Sequence, residues 1–97
     1  IDLTFICGYG CEDWEPSVTA KEREDRILRD AKPGFIILLH DMEGNTQTVE
    51  AIKTIIPALK EQGYEFVTVR DLFRKSGIVP QRNVIYMGAD EVRNNYE

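Results

Sequence analysis

The only histidine in this chain, His40, directly follows the apolar run Phe35-Ile36-Ile37-Leu38-Leu39, and an acidic-aromatic pair, Asp13-Trp14, sits in a glycine-interrupted loop nearer the start. In folds that alternate strands and helices, residues just past the C-terminal end of a parallel strand face the functional rim. Both positions qualify, and a single helix crossover separates them, so neighbouring strands would place them on one rim. A carboxylate beside an imidazole fixes the ring's tautomer and favours its charged form. A histidine held in this way can hand a proton to a leaving group. Trp14 would add a flat apolar wall suited to a sugar ring. The same residues also have plainer uses: His40 as a structural hydrogen bonder, Trp14 as core, Asp41 as the cap of a turn.

Cys7 and Cys11 form a C-x3-C pair. Structural zinc wants four ligands, and one histidine with one cysteine pair is a poor supply. A disulfide would close a very small loop, and two unpaired, partly buried thiols are the remaining option. Nothing in the pattern puts a base beside Cys7, which argues against a nucleophilic thiol.

Several elements must hold these residues. Leu3 to Cys7 reads as a short strand, broken by Gly8-Tyr9-Gly10, and Gly8 to Pro16 as a loop. Thr19-Ala20-Lys21-Glu22 fits a capping box that opens a helix running to about Ala31. The expected buried stripe of that helix is Ala20, Ile27, Leu28 and Ala31, with charge on its other faces. After the Pro33-Gly34 turn, Phe35 to Leu39 does not alternate, which predicts a parallel strand buried on both faces. Met42 to Asn45 is a loop, and Thr46 or Thr48 is the expected cap of a second helix. Val49, Ile52, Ile55, Ile56 and Leu59 give it helical spacing, Pro57 is expected to kink it or to mark a shift to looser geometry, and Gly63 to terminate it. Tyr64 to Val69 is a further expected strand, Asp71 to Lys75 a short helix stopped by Gly77, Asn83 to Tyr86 a short strand, and Asp90 to Glu97 a loose tail. The alternation predicts an α/β fold with parallel strands and right-handed crossovers. Three strands cannot bury a run as apolar as Phe35–Leu39, so further strands are expected to be missing. A glycine-rich phosphate loop is not among the motifs, because Gly8-Tyr9-Gly10 lacks the third glycine.

Composition bounds the remaining roles. The chain has 97 residues, a net charge of −5 and a sequence pI near 4.9, which leaves no basic footprint for nucleic acid or anionic lipid. Hydrophobic residues at 42% and charged residues at 30% match a globular protein and not a disordered one. The longest apolar run falls far short of the about 20 residues that span a bilayer as a helix. The chain opens at Ile1 in the middle of a strand pattern, without a charged segment followed by an apolar one, and reads as a processed or truncated chain.

Taken together, Glu12-Asp13-Trp14, then Pro33 through Asp41, then Thr48-Val49, and finally Ile55 through Val69 resemble the C-terminal part of a polysaccharide deacetylase catalytic domain. This is the NodB-homology group, carbohydrate esterase family 4. The resemblance runs from about Phe5 to Phe73 and rests on D-W, L-x-H-D and L-K-x-x-G-Y-x-F-V-T elements in the family's order. It implies the C-terminal strand-helix units of a distorted (β/α) barrel, with residues 1–80 belonging to that domain and 81–97 forming an extension or tail.

The resemblance implies a metal-dependent hydrolase that removes acetyl groups from a polysaccharide, either O-acetyl xylan or polymers of N-acetylglucosamine. His40 is implied as the general acid, Asp13 as the group that holds and charges it, and Trp14 with Leu38 as the lining of the acetyl pocket. The implied cofactor is a divalent metal of the zinc or cobalt type. Its Asp and H-x3-H ligands, the neighbouring Asp base and the R-x-x-x-P-Y motif all belong upstream, so no metal ligand is expected here and the chain alone is expected to be inactive. Gly10 stands where the family's D-x-x-D-W pattern has its first Asp. The implied partners are acetylated polysaccharide and either the upstream part of the domain or a second chain completing the barrel, with no nucleic acid or membrane. The implied location is extracellular or at the cell wall. The form Cys7-Gly8-Tyr9-Gly10-Cys11-Glu12-Asp13-Trp14 is similar to esterases of bacteria that degrade plant walls, which favours O-acetyl xylan. The alternative is a non-catalytic carbohydrate-binding or assembly fragment of a degenerate barrel.

Overall fold

The computed structural model describes residues 4–93. Leu3, expected to start the first strand, and residues 94–97 of the expected tail lie outside the described residues. The element order is β1 (Phe5–Ile6), α1 (Ala20–Asp30), α2 (Thr46–Glu61), α3 (Val69–Ser76), β2 (Ile85–Gly88) and β3 (Glu91–Val92). These divide between two compact units. One draws on residues up to Tyr9, on Lys32–Ile36 and on the described chain from Val67 onward; the other is Gly10–Ala31 with Ile37–Phe66.

The first unit is a small mixed sheet with one helix. β1 pairs in parallel with β2, placing Phe5 opposite Ile85 and Ile6 opposite Tyr86. β2 turns back on β3 in antiparallel pairing with a bulge between Tyr86 and Gly88. The expected tail after Asp90 therefore begins with a strand. Phe73, Tyr86 and Ala89 form the core, and the Phe73 and Tyr86 rings meet edge to face at 4.9 Å. α3 starts at Val69 and not at Asp71, because the Thr68 side chain caps it by accepting from the Asp71 N–H. It ends at Gly77, whose φ of 74° suits glycine in the left-handed region. Gly8 is required for a different reason. A Cβ there would lie 2.8 Å from the Ile36 carbonyl oxygen, the same atom that accepts from Tyr9 N–H at 2.7 Å.

The second unit packs α1 against α2. Its core is Cys11, Ile27, Ala51, Ile55 and Leu59, flanked by Ala20, Leu28, Ala31, Ile37, Leu39 and Tyr64. α1 follows the expected bounds. Its capping box is half made: Thr19 Oγ accepts from the Glu22 N–H, but the Glu22 carboxylate accepts from the Thr19 hydroxyl and not from its backbone. α2 is preceded by Asn45 at its N-cap, with no side-chain cap hydrogen bond, so neither Thr46 nor Thr48 plays the expected role. The helix continues past Pro57 to Glu61.

Two expected strands are not formed. Phe35–Leu39 carries only isolated bridge positions, one of them joining Phe35 to Gly88, and Tyr64–Val69 carries none before α3 begins. The all-parallel sheet is accordingly replaced by the mixed one. The reason is that a strand exists only by pairing, and its apolar faces are buried only if something covers them. Leu38 is in fact exposed, and its neighbours are half-buried. No helix among the described residues is long and apolar enough to cross a membrane.

Candidate active site

Asp13 and His40 are brought together. Glu12 adopts a left-handed φ of 58°, and Glu15 N–H closes a turn onto Glu12 carbonyl at 3.0 Å, so the chain folds Asp13 inward to 1% exposure. Its Oδ1 lies 2.7 Å from His40 Nδ1. Its Oδ2 accepts from the His40 backbone N–H at 2.6 Å and from the Thr48 hydroxyl at 3.0 Å. Asn45 Nδ2 donates to the His40 carbonyl at 2.9 Å, so both backbone polar groups of His40 are held by side chains.

These contacts define the ring's chemistry. Burial pushes the Asp13 carboxyl upward, but the hydrogen bonds from His40 N–H, from its ring and from Thr48 outweigh it and leave Asp13 below the ordinary value of 3.8. Asp13 is therefore a carboxylate at neutral pH and can only accept, so Nδ1 carries the hydrogen and Nε2 is left for solvent or substrate. The His40 side chain is 43% exposed. The pair is thus a buried anion under an accessible imidazole, able to hold a proton at Nε2 and release it outward.

A lowered carboxyl value has a consequence for stability. Asp13's contribution is complete above the ordinary carboxylate value and is lost as pH falls through the lowered folded-state value. The melting temperature of a protein carrying this chain should therefore fall more steeply for wild type than for Asp13→Asn as pH drops below the ordinary carboxylate value of 3.8. Parallel curves would show that the carboxylate is not what the folded state protects.

Beneath the pair lies a group that sequence reasoning missed. Arg23 is only 1% exposed. Its guanidinium donates to the carbonyls of Val18 and Glu15, to Asn45 Oδ1 at 2.7 Å and to Thr48 Oγ1 at 2.8 Å. A signal was present, because Arg23 occupies the helical spacing between Ala20 and Ile27 on the face assigned to the core. Thr48 similarly precedes Ala51, Ile55 and Leu59 on the buried face of α2.

Trp14 is 52% exposed and Leu38 39% exposed. Among the described residues no hydrogen bond or ring contact joins either to His40. A cavity of about 430 Å³ opens beside the ring, walled by His40, Leu39, Met42, Thr48, Val49 and Ile52. Cys7 and Cys11 are both free thiols. Burial, and next the Asp13 charge, push the Cys11 thiol up, so it stays protonated and is no nucleophile.

The donor set does not fit a metal. Among the described residues no three His, Cys, Asp or Glu side chains converge. The one histidine commits Nδ1 to Asp13, and both Asp13 oxygens are engaged.

The site is thus a buried carboxylate that orients an exposed imidazole, set beside the packed pair of α1 and α2. No protein-family model matches the chain. It is 54% identical over 86 residues to a bifunctional xylanase/deacetylase of Pseudobutyrivibrio xylanivorans, covering 89% of this chain and 14% of that protein. It is 52% identical over 52 residues to a peptidoglycan-N-acetylglucosamine deacetylase of Bacillus cereus, covering 52% of this chain and 24% of that protein. Among solved structures it is similar to the Xyl-CE4 domain of a multidomain xylanase from the hindgut metagenome of Trinervitermes trinervoides, with TM-score 0.88 and 47% identity. A family 4 acetyl xylan esterase from Clostridium thermocellum, in complex with a cobalt ion, matches with TM-score 0.84 and 40% identity. Each covers 93% of this chain, which spans 44% and 45% of those chains. The chain belongs to the polysaccharide deacetylases of carbohydrate esterase family 4.

Proposed function

We propose that this chain supplies the proton-donating part of a carbohydrate deacetylase, completed by the rest of the domain. The observation that carries the reading is the 2.7 Å contact between His40 Nδ1 and the buried Asp13 carboxylate. As the tetrahedral adduct of an acetyl group collapses, the sugar oxygen or nitrogen leaves with a developing negative charge. His40 protonates it from Nε2, and Asp13 stabilises the imidazolium before that step and fixes the tautomer after it. Trp14, next to Asp13, and Leu38, two residues before His40, are both exposed and are assigned to the acetyl-methyl wall.

A divalent metal of the kind the cobalt-bound relative carries would draw its ligands from outside these residues. The likeness to a xylanase/deacetylase and to xylan esterase domains favours O-acetyl xylan over N-acetylglucosamine polymers, and a polysaccharide substrate favours action outside the cell or at its wall. The segments Phe35–Leu39 and Tyr64–Val69, which build no continuous strand, fit a chain whose partner strands lie in the remainder of the domain.

The test is acetate release by a protein that carries this chain within a complete domain. Release from acetylated xylan, faster than from N-acetylglucosamine oligomers, is expected. Binding of either polymer without release would favour the non-catalytic alternative.

A further inference from the structure

We propose that Thr48, oriented by Arg23, is a positioning residue that holds the Asp13 carboxylate in the geometry His40 needs. The inference rests on the reading of His40 as the proton donor.

The argument is one of hydrogen-bond direction. Guanidinium nitrogen can only donate. Thr48 Oγ1 therefore accepts from Arg23 Nη1 at 2.8 Å, and its single hydrogen is left for Asp13 Oδ2 at 3.0 Å. A threonine in the first turn of a helix otherwise has local backbone groups to bond with. Donation from Arg23 turns a lone pair of the hydroxyl toward the guanidinium, and the hydrogen is directed to the Asp13 carboxylate. The guanidinium cannot turn away, since two backbone carbonyls and Asn45 hold its other donors. Asn45 is itself the residue that grips the His40 carbonyl. One buried cation thus sets two side chains, and these two address opposite sides of the catalytic pair: the carboxylate through Thr48 and the histidine backbone through Asn45. Thr48 is buried and its hydroxyl is committed to Arg23 and Asp13, so its effect passes through Asp13.

Thr48→Val keeps the branched shape and removes only the hydroxyl; Thr48→Ser keeps the hydroxyl. In the complete domain, Thr48→Val is expected to lower kcat about tenfold with KM unchanged, and Thr48→Ser to restore most of it; tenfold corresponds to about 1.4 kcal/mol. Arg23→Gln is expected to reproduce the loss and to add little in the Thr48→Val background, because the two act in series. Arg23 variants risk unfolding, so the decision falls on Thr48→Val, and Thr48→Ala carries the same reading should valine lower the melting temperature. The His40→Ala protein is measured alongside. If it is inactive while Thr48→Val turns over like wild type, the positioning role is overturned and the reading of His40 stands. If His40→Ala is fully active, that reading fails and the positioning role with it.

Discussion

His40→Ala in a complete domain is expected to lower kcat for acetate release from acetylated xylan by about 10²–10⁴-fold, the usual worth of a positioned general acid. The loss should fall on kcat more than on KM, because a proton donated to the leaving group matters only as the bond to that group breaks. Leaving-group acidity supplies an internal control. An aryl acetate releases a phenolate that needs no proton, so the defect should shrink sharply with that substrate. An equal defect for both would show that His40 serves binding or folding. Stability should change little, since the ring is half exposed and water can replace it against Asp13.

The second large effect is expected from Asp13→Asn. The carboxamide has the right shape and the wrong donors. Three hydrogens converge on the Asp13 oxygens: from the His40 ring, the His40 backbone and the Thr48 hydroxyl. An amide offers one acceptor oxygen. If that oxygen faces the ring, its NH₂ confronts two donors. If the amide flips, the NH₂ faces Nδ1 and forces the hydrogen onto Nε2 with the tautomer reversed. In serine proteases the same change to a His–Asp pair costs about 10⁴ in kcat. Asp13→Asn is expected to lose about 10²–10⁴-fold here, with a stability cost of about 1–3 kcal/mol for the mismatched buried donors. Activity within a few-fold of wild type would mean that the carboxylate charge is not what equips His40.

The helices and the His–Asp pair were legible from the residues for a common reason: each depends on short-range chemistry. Thr19 and Glu22 mark a helix start locally, and α1 follows from them. His40 and Asp13 could be joined because each lies next to a segment whose end was visible. Strands were less legible, since Phe35–Leu39 has strand composition whether or not a ladder partner is at hand, and pairing is a fact about distant residues. Arg23 was missed because reading a helix face by apolarity assigns charge to solvent. Burial of a guanidinium depends on whether acceptors converge on it, and these come from Glu15, Val18, Asn45 and Thr48, on other elements. Thr48 was read as a cap for the same reason: position near a helix start was visible, but its inward partner was not.

Arg23 also staples the Glu15 and Val18 carbonyls to α1, and that restrains the neighbouring Trp14 as well. A segment tied in this way cannot swing as a hinge without stranding a charged group away from water. The turn from Glu15 to Val18 is therefore carried by α1 as one piece with it, and any rearrangement of that turn has to dismantle the buried cation network as well.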